Sequence, residues 1–234
     1  RIQTQKSLDA RLKCVYNYKE DSKKNLLDLI DSAGIARTEV FAGDYLDEPQ
    51  ITIISPTRDF YESLLPKFRN KLNFHWALEA LEENLYSSKD DISDETTLSK
   101  TLDDATDDTS AHNQSSIVFL LETDEKQKFL FTGDAGRDAF NHVPQTLLGK
   151  VKDVTWMKVP HHGSKHNLDS TIIKHVNPEI AYISTEKQGK YLNRSTVFAL
   201  KKNGTKVYST SQNRSTIRHG AIKTREGWTK IEPM

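Results

Sequence analysis

Two short apolar runs, each ending in residues that can hold a metal or a proton, constrain this chain more than any other feature. The first is Phe129-Leu130-Phe131-Thr132, which runs into Gly133-Asp134. The second is Thr155 to Val159, which runs into Pro160-His161-His162-Gly163-Ser164. Apolar runs this short, bounded by turn residues, read as buried strands. The end of a buried strand is a rigid mount for a functional side chain. A carboxylate and an imidazole at neighbouring strand ends suit a borderline divalent metal such as zinc. On extended backbone His161 and His162 point opposite ways, so one of them is the natural ligand.

Around these runs the sequence predicts alternating strands and helices. Leu26 to Ala33 reads as a helix stopped by Gly34. Glu39 to Ala42 and Ile51 to Ile54 read as strands, with a Gly- and Asp-containing turn between them. Asp59 to Phe68 reads as a short helix broken at Pro66. Phe74, Leu78, Leu81 and Leu85 share one face of a helix started by Asn73, with His75 a boundary histidine. Ile117 to Leu121 and Phe129 to Thr132 form an antiparallel hairpin that ends at Asp134. Arg137 to Leu148 is partly helical, interrupted by Pro144. Ser170 to Val176 is a helix capped by Asp169 or Ser170, and Ile180 to Ser184 a strand. Thr196 to Lys202 is a helix capped by Ser195, Lys206 to Thr210 a strand, and Thr216 to Thr224 a terminal hairpin-like pair. The expectation is an α/β fold, a mixed β-sheet with helices covering one outer face.

Ser87 to Ala111 differs in character. It holds eight acidic residues against Lys89 and Lys100 and has few large apolar side chains. Such a segment has little surface to bury against its ordering entropy. It is expected to be a flexible acidic insert, dividing the chain into 1–86, 87–111 and 112–234.

Composition limits the function classes. Lys plus Arg and Asp plus Glu are both 33, so no global basic field argues for nucleic acid. Cys14 is the only cysteine, which excludes an internal disulfide and a Cys-rich zinc site. No apolar run approaches the ~18 residues of a membrane span. A cytoplasmic location is the expectation.

The set TGD, VPHHGS, Asn113-x-x-Ser116-x-Val118, the strand Pro178-x-x-Ala181-x-x-Ser184 and the strand Gly204-x-x-Val207-x-x-Thr210 resembles the C-terminal half of the metallo-β-lactamase superfamily. Within it, the likeness is to the ComEC-like hydrolase group, over roughly residues 113 to 220. The resemblance implies an αββα sandwich, here mainly its C-terminal half. It implies a metal-dependent hydrolase of a phosphodiester or related ester, nucleic acid among the candidates, with two zinc ions or manganese as cofactor. It places a bridging carboxylate on Asp134 and the last histidine ligand on His162, with His161 as its neighbour. His112 is the candidate for the middle histidine ligand. Ser164, Lys165 and Arg194 are candidate contacts to an anionic substrate. Arg194 lies in Asn193-Arg194-Ser195, where the group often has a His-Pro pair. His142, His166, His175 and His219 read as structural or exposed.

The group's H-x-H-x-D-H motif occurs nowhere in the 234 residues. The expectation is a fragment that is inactive alone and pairs with its own N-terminal half or a second copy. The rival reading is an inactive domain of the same fold that serves as a binding module.

Overall fold

The computed structural model describes residues 26–68, 95–185, 192–210, 217–219, 226 and 228–234. The helix read from Asn73 onward, with His75, lies outside these residues. So do the first 25 residues and the beginning of the acidic segment.

The described elements are α1 (Leu26–Ser32), β1 (Tyr45–Leu46), β2 (Ile51–Ser55), α2 (Arg58–Phe68), α3 (Glu95–Asp103), α4 (Ala111–Gln114), β3 (Val118–Glu122), β4 (Lys128–Phe131), α5 (Arg137–Asn141), α6 (Gln145–Leu148), β5 (Trp156–Lys158), a 3-10 turn (Pro160–Gly163), α7 (Ser170–Val176), β6 (Ile180–Ile183), α8 (Arg194–Lys202), β7 (Lys206–Ser209), β8 (Ile217–Arg218) and β9 (Thr229–Lys230). The first seven strands form one sheet in sequence order. Pairing is antiparallel from β1 through β4 and parallel from β4 through β7. The fold is therefore α/β with a mixed seven-stranded sheet.

This topology positions the candidate residues. Parallel strands joined by helical crossovers bring all their carboxyl ends to one edge of the sheet. β4 and β5 are neighbours in register, Phe129 beside Trp156 and Leu130 beside Met157. Gly133-Asp134 and Pro160-His161-His162 therefore leave the same edge side by side.

The two faces of the sheet differ. Val118, Leu120, Leu130, Met157, Ala181, Ile183 and Val207 point to one face and are buried. With Leu102, Leu147, Leu168, Ile173 and Leu200 from helices and loops they make one core. Leu120 and Leu130 are cross-strand partners, and burying each stabilises the fold by roughly 1.5–3 kcal/mol. The other face carries aromatics from five successive strands, two of them, Phe129 and Phe131, from β4. Phe119 stacks on Phe131 at 4.7 Å, Phe131 meets Trp156 at 5.1 Å, Trp156 meets Tyr182 at 5.7 Å and Tyr182 stacks on Tyr208 at 5.2 Å between centroids. The first four of these are only half-buried.

Several local readings need correction. Residues 39–42 are not a strand. Asp44 accepts from the Phe41 amide at 2.8 Å and closes a turn there, and the edge strand forms at Tyr45–Leu46 instead. Pro66 sits inside α2 without ending it, because Glu62, whose carbonyl loses a bond, is exposed to water. Asn193, not Ser195, caps α8, accepting from the Ser195 amide at 2.9 Å. Asp169 caps α7. Of the terminal pair read over 216–224 only 217–219 lie among the described residues, where β8 pairs in parallel with β9.

The largest correction concerns the acidic segment. From Glu95 it is a helix, then an ordered loop. Leu98 and Leu102 of α3 are buried, and α3 packs against α8 and α7. Two leucines four residues apart suffice to seat a short helix, and composition averaged over the segment hides them. Arg137 completes the attachment. Its guanidinium, from a residue 7% exposed, donates to the carbonyls of Leu102, Ala105, Lys165 and Leu168 at 2.7–3.1 Å and pairs with Asp107 at 3.0 Å. That engages all five of its N–H groups.

Candidate functional site

The end of β4 is built around Gly133. Its φ of 54° lies in the left-handed region, and a Cβ there would come within 2.9 Å of the Ser116 Cβ. Glycine is required on both counts. The Ser116 hydroxyl accepts from the Asp134 amide at 3.2 Å, and Lys158 of β5 donates to the Gly133 carbonyl. Lys158 also lies 3.4 Å from Asp134 Oδ1. Burial pushes the Lys158 ammonium below its usual range, and the Asp134 charge opposes that shift. The Asp134 side chain remains 40% exposed, so a carboxylate faces the sheet edge beside a half-buried lysine.

After β5 the chain takes three left-handed residues in succession, with φ of 42° at His161, 55° at His162 and 90° at Gly163. The two histidines thus do not sit on extended backbone, and the alternation expected of them does not apply. Each non-glycine residue in this conformation costs about 1–2 kcal/mol, so its neighbours must fix it. They do. The His161 amide donates to the Gly133 carbonyl at 3.3 Å, the Ser164 amide to the His161 carbonyl at 3.0 Å, and the Asn193 amide to the Gly163 carbonyl at 3.2 Å.

The rings still diverge, with centroids 6.1 Å apart and planes inclined by 64°. His161 turns inward, where its Nδ1 is 3.3 Å from Asp108 Oδ2. His162 stays nearer the surface, its Nδ1 against the Ser184 carbonyl at the end of β6. Each imidazole is thus held through Nδ1 by an oxygen.

Asp108 is the residue that sequence reasoning missed. Its side chain is 9% exposed. It accepts from the Ser110 amide at 2.8 Å, from Asn113 Nδ2 at 2.8 Å and from Asn167 Nδ2 at 3.0 Å. Burial pushes its pKa up, but the hydrogen bonds from His161, Asn113, Ser110 and Asn167 together hold it below the usual value. Asn167 also donates to the Asp134 carbonyl at 3.1 Å, joining the two acids through one amide. The available signal was the Asp-x-Ser at 108–110 directly before a helix, an N-cap pattern inside an acidic run.

The other candidates are less closely gathered. His112 meets the Phe68 ring edge-on at 4.7 Å. Ser164 is buried, and its hydroxyl accepts from the His166 amide. It acts as a turn cap. Lys165 is buried and lines an open cavity of about 570 Å³ with Lys100, Thr101, Asp104 and His166. Arg194 is exposed in the first turn of α8, next to the Asn193 that bonds Gly163. His142 stacks on Phe60, His175 meets the Leu148 carbonyl, His166 the Thr106 carbonyl and His219 the Tyr182 hydroxyl, all local structural contacts. Among the described residues no three His, Cys, Asp or Glu side chains are grouped as a metal ion would need. Asp134, His161, His162 and His112 therefore make at most a partial ligand set. No helix among these residues is long and apolar enough to cross a membrane.

Comparison with known proteins yields one curated relative. ComE operon protein 3 of Bacillus subtilis (strain 168) is 30% identical over 128 residues, 54% of this chain and 16% of that protein. The chain thus spans a small part of the relative it matches. No family model matches, and no solved structure matches.

Proposed function

We propose that these residues are the C-terminal part of a metal-dependent hydrolase of the metallo-β-lactamase fold, related to the ComEC-like group and acting on a phosphodiester or related ester. One observation carries the reading. A carboxylate and two imidazoles leave adjacent parallel strand ends, and both imidazoles have Nδ1 held by an oxygen acceptor. Histidines that serve as metal ligands almost always have their other nitrogen engaged in this way. The similarity to ComE operon protein 3 agrees with it. So does the half-exposed aromatic face of the sheet, where the second sheet of an αββα sandwich would pack. That sheet would come from the protein's own N-terminal half, or a second copy would take its place.

Asp134 with His162, His161 or both would hold a metal, and the donor set suits zinc or manganese. A pair of such ions supplies an activated water and polarises the scissile group. The chain's own residues then have separable roles. Asp134 contributes negative charge at the sheet edge, and Lys158 fixes the Gly133-Asp134 turn that aims it. Arg194, exposed beside the histidine turn, offers a fork that matches a phosphate oxygen pair.

A second reading has its own support. It is a binding module on the same fold, in which the oxygens that engage both Nδ1 atoms serve only to fix the histidine turn. The whole gene product that carries these residues separates the two. We expect about two metal equivalents and hydrolysis of bis(p-nitrophenyl) phosphate that chelation abolishes. A metal-free, inactive protein would overturn the hydrolase reading.

A further inference from the structure

We infer that Asp108 is a positioning residue, which locks His161 in the tautomer carrying its proton on Nδ1 and so presents Nε2 as the lone-pair nitrogen. Its role in hydrolysis rests on the reading above; the tautomer itself does not.

The hydrogen-bond inventory leads there by elimination. An ionised carboxylate only accepts. Asp108 already accepts from the Ser110 amide, Asn113 and Asn167, and its remaining close neighbour is His161 Nδ1. A bare Nδ1 would set a lone pair against an anion with a 9%-exposed side chain, whereas a protonated Nδ1 makes a charge-assisted bond. Among the described residues, Asn113 Nδ2 also approaches this nitrogen, at 3.5 Å. One hydrogen of its Nδ2 goes to Asp108 at 2.8 Å, and 3.5 Å is too long for the second to match the Asp108 contact at 3.3 Å. Flipping that amide would bring its carbonyl oxygen against the carboxylate.

The Asp108 backbone is anchored as well. The Gln114 amide bonds the Asp108 carbonyl on one side and the Ala139 amide on the other. The Asp108 amide donates to the His166 carbonyl at 3.1 Å. Direction is fixed along with tautomer, because the His161 backbone is tied to Gly133 and Asn167 ties Asp108 to Asp134. The ordered loop after α3 therefore belongs to the site's machinery.

The test is long-range proton–nitrogen correlation NMR of the ring nitrogens, at a pH where imidazoles are neutral, with His161→Gln used to assign the signal. Wild type should show Nδ1–H at His161. Asp108→Asn should shift the ring toward Nε2–H, and Asn113→Ala should leave Nδ1–H in place. An Nε2–H ring in the wild type overturns the inference, even if Asp108→Asn fails to fold. So does a tautomer that follows Asn113 instead of Asp108. In the metal-loaded whole gene product, Asp108→Asn should lower metal affinity or kcat by roughly 10–100-fold. A wild type with Nδ1–H and no hydrolysis would sink the hydrolase reading and leave the tautomer assignment standing.

Discussion

Asp108 and Asp134 both lie beside one histidine turn and are held in opposite ways. Asp134 sits where the strand pattern announces it, at a glycine-bent strand end, with its side chain 40% exposed and one lysine at 3.4 Å. Asp108 comes from an acidic stretch that announces nothing, yet it is buried and accepts from three elements of the fold. An exposed carboxylate is available for chemistry and stabilises little. A buried one that satisfies several donors is expensive to remove, because each donor is then left without its acceptor.

The comparison makes graded predictions for equilibrium unfolding in denaturant. Arg137→Met should have the largest effect, about 3–5 kcal/mol, since it orphans four carbonyls and Asp107 at once. A loss below about 1 kcal/mol would mean that the loop after α3 contributes little to the fold. Asp108→Ala should follow at about 2–4 kcal/mol. Asp134→Ala should cost less than about 1 kcal/mol while abolishing the proposed hydrolysis in the whole gene product. Equal losses of stability at the two acids would break the contrast between them.

The smallest effect concerns the aromatic face. Burial, with the Tyr208 phenol beside it, pushes the Tyr182 hydroxyl up to about 12. Unfolded, it ionises near 10. The unfolded chain thus loses this proton first, so the contribution to stability is full below pH ~10 and is lost as pH rises toward ~12. Tyr182→Phe should flatten that part of the stability–pH curve. If the curve is unchanged, the phenol is not held in its neutral form by the fold.

The same contrast shows what could be read from sequence. Strands β3 to β7 were legible because buried strands are continuous or alternating apolar runs, and Asp134 and the two histidines stood at their ends. The α3 segment was not. Its attachment depends on Leu98 and Leu102 in a sea of acids, and on an arginine more than thirty residues away, at 137. The histidine turn was misjudged for another reason. Left-handed backbone is ordinarily signalled by glycine or asparagine. At His161 and His162 it is imposed by contacts from Gly133, Asp108 and Ser184, which lie elsewhere in the sequence.

The row of rings from Phe119 to Tyr208 has a practical corollary. Trp156 stands in its middle, half-buried between Phe131 and Tyr182. An indole so placed is an optical gauge of wetness. Whatever lies down over that row dries the indole and moves its emission toward the blue, without any label or any knowledge of the substrate. Within these 234 residues, replacing Trp76 and Trp228 with phenylalanine would leave Trp156 as a single-colour readout of assembly.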